Sequence, residues 1–301
     1  MYLHNDIELF KDIITTTTSI SGISETIIEK DYYISLILKQ LSLIEPDAVF
    51  KGGTSLSKCF HVINRFSEDI DITFTKKLSQ GQRKKLKYEV IGTISENLNL
   101  PISNWEQTRS RRNLNSYYFE YQSIYSLANP FLTPCVKLET ALASKSFPVI
   151  TKEVDSIIWQ YLHQENKDLL IKYNLIPFSM KLQSLERTLI DKVFAICDYY
   201  LKGNIVNKSR HIYDIYFLLN DIKIDEKFFC LIPKIRAERA VLDICPSAKS
   251  EVNLSKLLQK IVQQEAYKSD YEQITSNLMI EKVPYDTAIQ AIKQIIGLNC
   301  F

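Results

Sequence analysis

Two aspartates separated by one residue, Asp69 and Asp71, lie in the apolar run SEDIDITF. The alternation of charged and apolar residues predicts a β-strand, in which both carboxylates point to the same face. Their Cα atoms would be ~6.6 Å apart at a rise of ~3.3 Å per residue. Carboxylates spaced in this way can share one or two hard divalent cations. The alternative is the exposed face of a half-buried strand, with Ile70 and Ile72 facing the core.

The segment before these aspartates carries two of the chain's seven glycines, Gly52 and Gly53, followed by Thr54 and Ser55. We expect a short strand, AVFK, that ends at the glycines, and a helix, TSLSKCFHVI, that begins at Thr54 or Ser55. Glycines let a phosphate approach the backbone, and a helix N-terminus offers free N–H groups. The pattern therefore predicts an anion site, with Lys58 one turn further as a candidate phosphate contact. A tight turn and a solvated lysine are the alternatives.

A third carboxylate, Glu139, lies in the strand-like segment CVKLETAL. Neighbouring strands are ~4.8 Å apart, so Glu139 reaches the same cations only if its strand lies beside the strand of Asp69 and Asp71. The sequence does not show which strands are neighbours. A solvent-facing glutamate is the alternative interpretation.

The elements that must position these residues follow from the hydrophobic periodicity. A helix is predicted from Ser24 to Pro46, a basic helix at residues 79 to 97, and strands within the aromatic region 103 to 142. Helical patterns dominate the second half, in SLERTLIDKVFAICDYYLKG, SRHIYDIYFLLN, DEKFFCLIPKIRAERAVL, NLSKLLQKIVQQEAY and YDTAIQAIKQIIG. Strands followed by helices predict an α+β fold, with one lobe of residues 1–150 and a mainly helical lobe of residues 151–301.

Composition narrows the class of protein. The 301 residues carry a net charge of +2, which argues against a surface that binds polyanions throughout. Six cysteines without a CxxC pair and four scattered histidines argue against a zinc site or a disulfide framework. No apolar run approaches the ~18 residues of a membrane span, so we expect a cytoplasmic protein with no membrane partner. The basic, aromatic segments KKLSQGQRKKLK and RSRRNLNSYYFEY are compatible with RNA binding, and solvated faces are the alternative.

The segment GGTSLSKCFHVINRFSEDIDI resembles the signature of the AbiEii/AbiGii nucleotidyltransferase toxins. These are the toxin half of type IV toxin–antitoxin and abortive-infection systems, which act in phage defence, within the DNA polymerase β-like nucleotidyltransferase superfamily. IEKDYYISLILKQL is similar to the family's leading helix, and SLERTLIDKV and SRHIYDIYFL are similar to its two later motifs. The resemblance implies a nucleotidyltransferase-type mixed β-sheet lobe flanked by helices, followed by a mainly α-helical C-terminal lobe.

The resemblance also implies roles for individual residues. Four would bind the NTP and three would bind Mg²⁺ or Mn²⁺, namely Gly52, Gly53, Thr54 and Ser55, and Asp69, Asp71 and Glu139. Lys192 matches the motif lysine that contacts the nucleotide, and Arg210 and Asp214 match the arginine and the acid of the last motif. This last stretch lacks the lysine and the paired aspartates of the family's usual Arg-x-Lys-Asp-x-x-Asp pattern. The alternatives are a snorkelling Lys192 and a local ion pair between Arg210 and Asp214.

The activity that the resemblance implies is transfer of an NMP from an NTP to an acceptor hydroxyl, with an RNA such as tRNA as acceptor. A cognate antitoxin protein would be the partner. Two other functions stay open, a small-molecule nucleotidyltransferase of the antibiotic-modifying kind and a catalytically silent module that binds a nucleotide or RNA. The presence of Asp69, Asp71 and Lys192 argues against the silent module.

Overall fold

The computed structural model describes residues 2–125 and 133–301. Part of the predicted aromatic region, residues 126–132, therefore lies outside the described residues. The chain forms two compact units, one of Met1–Cys59 and Glu68–Leu182 and the other of Phe60–Ser67 and Gln183–Phe301. The division into lobes of residues 1–150 and 151–301 stays a prediction.

The first unit is built on a mixed six-stranded sheet with the strand order β3-β4-β2-β1-β6-β5. Its strands are β1 Val49–Lys51, β2 Ile70–Phe74, β3 Leu114–Glu120, β4 Cys135–Lys145, β5 Val149–Val154 and β6 Phe178–Gln183. Its helices are α1 Ile7–Ser21, α2 Glu25–Ile44, α3 Gly52–Lys58, α4 Gln80–Lys85, α5 Gly92–Leu98, α6 Ile157–Leu162 and α7 Lys167–Lys172. A π-helical turn, Leu86–Ile91, joins α4 to α5.

Several predicted elements of this unit are confirmed. The helix α2 follows Ser24 and ends before Pro46. The basic helix corresponds to the continuous run from α4 to α5, which begins with a capping box at Ser79. On β2, Ile70 and Ile72 are fully buried, as the alternating pattern predicts.

Three local predictions were wrong or incomplete. The helix α3 begins at Gly52, before the predicted start at Thr54 or Ser55. Ser55 lies inside the first turn, where its hydroxyl donates to the Gly52 carbonyl at 2.9 Å, so it does not cap the helix. The helix ends at Lys58, well before the predicted end. Within the segment ISNWEQTR, Trp105–Gln107 form a 3₁₀ turn, and the buried ammonium of Lys87 binds the carbonyls of Trp105 and Thr108. The strands β5 and β6 carry no clear alternation and were not predicted.

The second unit is helical. Its α-helices are α8 Leu185–Leu201, α9 Arg210–Asp221, α10 Glu226–Ala240, α11 Leu254–Gln263, α12 Lys268–Asp270, α13 Ser276–Leu278 and α14 Tyr285–Gly297. The hydroxyl of Ser184 caps α8, whose apolar stripe of Leu189, Val193 and Ile196 is fully buried. The mixed sheet with flanking helices and the helical second half confirm the α+β prediction. Within residues 2–125 and 133–301, no helix has the length and apolar composition to cross a membrane.

Candidate active site

A row of polar residues crosses four neighbouring strands of the sheet. The strand β2 runs antiparallel to β1 and parallel to β4, so Asp71 lies opposite Lys51 on one side and Glu139 on the other. On β3, Ser116 lies opposite Glu139. The fold therefore contains the strand adjacency that the sequence leaves open, and it places Asp71 and Glu139 side by side.

A lysine that the sequence reasoning missed lies among these acids. The Lys137 ammonium is 2.8 Å from Glu139 Oε1 and 3.8 Å from Asp69 Oδ2. The Ser116 hydroxyl donates to the same Glu139 oxygen at 2.8 Å. The spacing Lys-x-Glu on a strand was the available signal, because it places both side chains on one face.

The neighbouring carboxyl groups of Asp71 and Glu139 have their pKa values shifted in opposite directions. Burial raises the pKa of Asp71 to about 6, Lys51 opposes this shift, and the charges of Glu139 and Asp69 add to it. Burial alone would raise the pKa of Glu139 as well, but hydrogen bonds from Lys137 and Ser116 lower it overall. Of the two neighbouring carboxyls, Asp71 is therefore the one that binds a proton more readily.

The glycine pair meets the aspartates at one atom. Gly52 has φ +84°, and a Cβ built on it would lie 2.0 Å from Asp71 Oδ2. The contact follows from the pairing of β1 with β2, which places Lys51, the residue before Gly52, opposite Asp71. Only a residue without a side chain fits here, so the two sequence motifs form one structural site.

The other residues of the predicted anion site are largely buried. Thr54 and Ser55 are 2% and 1% exposed. Lys58 is not solvated, because its ammonium lies 2.5 Å from the Asp31 carboxylate of α2. The structure therefore adds Asp31, which the sequence reasoning did not single out, as the partner of Lys58.

The acids suit a hard divalent cation in their chemistry. Among the residues that the structure describes, no three His, Cys, Asp or Glu side chains converge tightly enough to form a ready-made metal site. The donor set nevertheless consists of carboxylate oxygens, which Mg²⁺ and Mn²⁺ prefer. A divalent cation would offset the negative charges of Asp71 and Glu139, which lie side by side on β2 and β4. On this ground Asp69, Asp71 and Glu139 fit the predicted metal.

The later motif residues lie in the second unit. Two of them, Lys192 and Asp214, form a buried ion cluster with Arg65. Arg65 Nε and Nη2 donate to the two Asp214 carboxylate oxygens at 2.6 and 2.7 Å. Lys192 Nζ donates to the same carboxylate at 2.6 Å. Burial alone would raise the pKa of Asp214, but Arg65 and Lys192 hold it well below its usual range. Among the described ion pairs, Arg210 is not a partner of Asp214, so the alternative of a local pair between them does not hold.

Comparison with protein families decides the class of this chain. Residues 36–291 match the family model described as "Nucleotidyl transferase AbiEii toxin, Type IV TA system". The chain belongs to the AbiEii family. It is therefore a nucleotidyltransferase toxin of a type IV toxin–antitoxin system, as the resemblance predicted. The matched range includes the glycine pair, the carboxylates of β2 and β4, and both later motifs.

Two further comparisons add little to this assignment. Among solved structures, MenT4, a nucleotidyltransferase toxin from Mycobacterium tuberculosis H37Rv, aligns with this AbiEii chain at 16% identity and a TM-score of 0.49. The alignment covers 94% of this chain and 88% of that chain. A likeness at this level is too low to carry a conclusion. No curated protein matches the chain.

The raised pKa of Asp71 makes a pH-dependent prediction for this AbiEii protein. Folding raises the pKa of Asp71 to about 6. The stability that the protonated Asp71 contributes is therefore complete below the pKa of this group in the unfolded chain, and it is lost as pH rises through about 6. In EDTA, the variant Asp71→Asn should therefore gain thermal stability over the wild type at pH 8 and a smaller amount at pH 5. Thermal unfolding at both pH values measures this difference.

Asp47→Asn is the matched control, because the Asp47 carboxylate pairs with Lys181 at the surface and its pKa is lowered. That variant should gain nothing at pH 8. An equal gain of Asp71→Asn at pH 5 and pH 8 would contradict the raised pKa of Asp71.

Proposed function

We propose that this toxin transfers an NMP from an NTP to an acceptor hydroxyl, releases pyrophosphate, and requires a divalent metal. The observation that carries the proposal is the Asp71–Glu139 pair on adjacent strands, with Gly52 packed against Asp71. Asp69, Asp71 and Glu139 would hold Mg²⁺ or Mn²⁺. When bound, the metal would offset the charge of the triphosphate and lower the pKa of the acceptor hydroxyl.

The protein's own side chains support this chemistry. Asp71, a carboxylate among the proposed metal ligands, could also accept the proton of the acceptor hydroxyl. The Lys137 ammonium lies between Asp69 and Glu139 and reduces the repulsion between their carboxylates.

The remaining site residues carry proposed roles that come from the family resemblance. The proposed nucleotide-binding residues are Gly52, Gly53, Thr54, Ser55, Lys58 and Arg210, and Lys192 and Asp214 are proposed to be catalytic.

We propose RNA, such as tRNA, as the acceptor because the fold joins the two basic segments. Arg83 on α4 donates to the Asn113 side chain at 2.9 Å, and Gln80 donates to the Ser110 hydroxyl at 3.3 Å. The joined surface exposes seven basic side chains, those of Lys76, Lys77, Lys84, Lys85, Arg109, Arg111 and Arg112. The negative charge of a polynucleotide backbone complements such a surface, whereas binding a small hydroxylated acceptor does not require an extended basic surface.

The test supplies the purified toxin with each radiolabelled NTP in turn, together with total RNA, aminoglycosides or no acceptor. We expect label in RNA with Mg²⁺ or Mn²⁺, and none after EDTA or with Asp71→Ala, because that variant loses a metal ligand and the proton acceptor. Label in aminoglycosides would favour the antibiotic-modifying alternative. A wild type that binds NTP and transfers nothing would favour the silent module and overturn the proposal.

The toxin role makes a prediction in cells. Expression of the wild type alone should arrest growth, and Asp69→Ala should relieve the arrest, because toxicity depends on transfer. Co-expression of the cognate antitoxin should restore growth without any change in the toxin sequence. Normal growth with the wild type expressed at the level of the variant, checked by immunoblot, would count against toxicity through this reaction.

A further inference from the structure

Three consecutive charged residues of α2, Glu29, Lys30 and Asp31, point into the first unit. Glu29 and Lys30 are 0% and 1% exposed, and the Asp31 side chain is 14% exposed. Buried charges are costly unless they are paired and hydrogen-bonded. Each of the three binds a different segment of the unit. The three residues therefore connect α2 to segments that are far apart in the sequence.

Lys30 joins the segments that lead into the two acid-bearing strands. Its ammonium binds the Glu68 carboxylate and donates to the Thr133 carbonyl at 3.1 Å. Glu68 immediately precedes Asp69, and Thr133 lies two residues before β4, the strand of Glu139. One buried cation therefore fixes the start of both strands that carry the candidate metal ligands.

Asp31 fixes the helix that begins with the glycine pair. Its carboxylate accepts hydrogen bonds from Lys58 Nζ at 2.5 Å and from the Ile157 backbone N–H at 2.7 Å. Lys58 is the last residue of α3, and Gly52 at the other end of α3 contacts Asp71. Glu29 accepts from the Ser123 hydroxyl at 2.6 Å and from the Ile124 N–H at 2.9 Å, beyond the end of β3.

We infer that Lys30 and Asp31 are positioning residues for nucleotidyl transfer. Lys30 holds the lead-in segments of Asp69 and Glu139 in register, and Asp31 holds α3 and with it Gly52. The inference rests on the proposed function, which makes Asp69, Asp71 and Glu139 metal ligands. Among the described contacts, neither Lys30 nor Asp31 binds any of these three acids. Mutation of a group that orients metal ligands without binding the metal typically lowers metal affinity or activity by about 10–100-fold.

The test compares two buried lysines of the same helix. Lys30→Met should weaken Mn²⁺ binding, measured by electron paramagnetic resonance titration, by about 10–100-fold. Lys39→Met is the matched control, because the Lys39 ammonium is also buried but donates to the carbonyls of Asn174 and Ile176, away from the acids. It should lower the melting temperature and leave Mn²⁺ binding unchanged. Lys30→Arg keeps the charge and should restore much of the affinity.

A second arm tests Asp31. Asp31→Asn should raise the KM for NTP about tenfold or more with a smaller change in kcat, because it removes the anion that holds Lys58 and α3, whereas Lys30 still holds the lead-in segments of the acids. An unchanged KM would overturn the role of Asp31.

Equal Mn²⁺ binding by Lys30→Met and the wild type would overturn the role of Lys30. Equal weakening in Lys39→Met at a matched melting temperature would do the same, since global stability would then explain the effect. If Lys30→Met does not fold, Glu68→Gln removes the partner charge, and unchanged Mn²⁺ binding by that variant would overturn the role.

A wild type that binds no Mn²⁺ would overturn the inference. A wild type that binds Mn²⁺ and NTP but transfers nothing would overturn the proposed function alone, and the Mn²⁺ titrations would still decide the role of Lys30.

Discussion

Gly52→Ala should lower the rate of nucleotidyl transfer at least ~10²-fold and destabilise the protein by roughly 2–5 kcal/mol. The glycine has φ +84°, where an L-residue costs about 1–2 kcal/mol. The new Cβ would lie 2.0 Å from Asp71 Oδ2, so the carboxylate has to move by more than 1 Å. A displacement of that size at a proposed metal ligand is enough for the expected loss of rate. Labelled transfer and urea unfolding measure the two effects.

Gly22→Ala separates backbone strain from the clash. Gly22 has φ +71°, and a Cβ there meets no atom within 4 Å. Its alanine variant should lose about 1–2 kcal/mol of stability and keep full transfer. If Gly52→Ala lost no more than Gly22→Ala and transferred normally, the contact between the glycine and Asp71 would have no functional weight.

Asp214→Asn should cost about 3–5 kcal/mol of the free energy of unfolding, the usual range for breaking a buried ion pair from one side. Asp214 is fully buried, and its carboxylate is the charge partner of both Arg65 and Lys192. The neutral amide would leave two buried cations without an anion. Urea unfolding at pH 7 measures the loss.

Lys192→Met is the comparison that tests this reasoning. It removes one of the two cations and leaves the bidentate ion pair between Arg65 and Asp214 intact. Because burial already lowers the pKa of Lys192, loss of its charge is the smaller change. Lys192→Met should therefore destabilise clearly less than Asp214→Asn, and equal losses from the two variants would contradict the proposed charge balance.

The sequence by itself determined the features that depend on local pattern. Alternation with a period of two indicated the strand of Asp69 and Asp71, and the stripe on SLERTLIDKV indicated α8, because these periodicities follow from backbone geometry alone. The signature from Gly52 to Asp71 indicated the family, and the family comparison confirmed it. The residues that the sequence singled out for chemistry were thus close together in the chain or belonged to short motifs.

Only the tertiary structure decided which distant residues meet. It placed Glu139 beside Asp71, added Lys137 between the acids, and gave Asp214 the partner Arg65 in place of the neighbouring Arg210. Strand pairing joins segments that no local period relates, so the position of Glu139 could not be read from its own segment. A buried charge needs a partner of opposite sign, but the sequence gives no indication of which one the fold supplies.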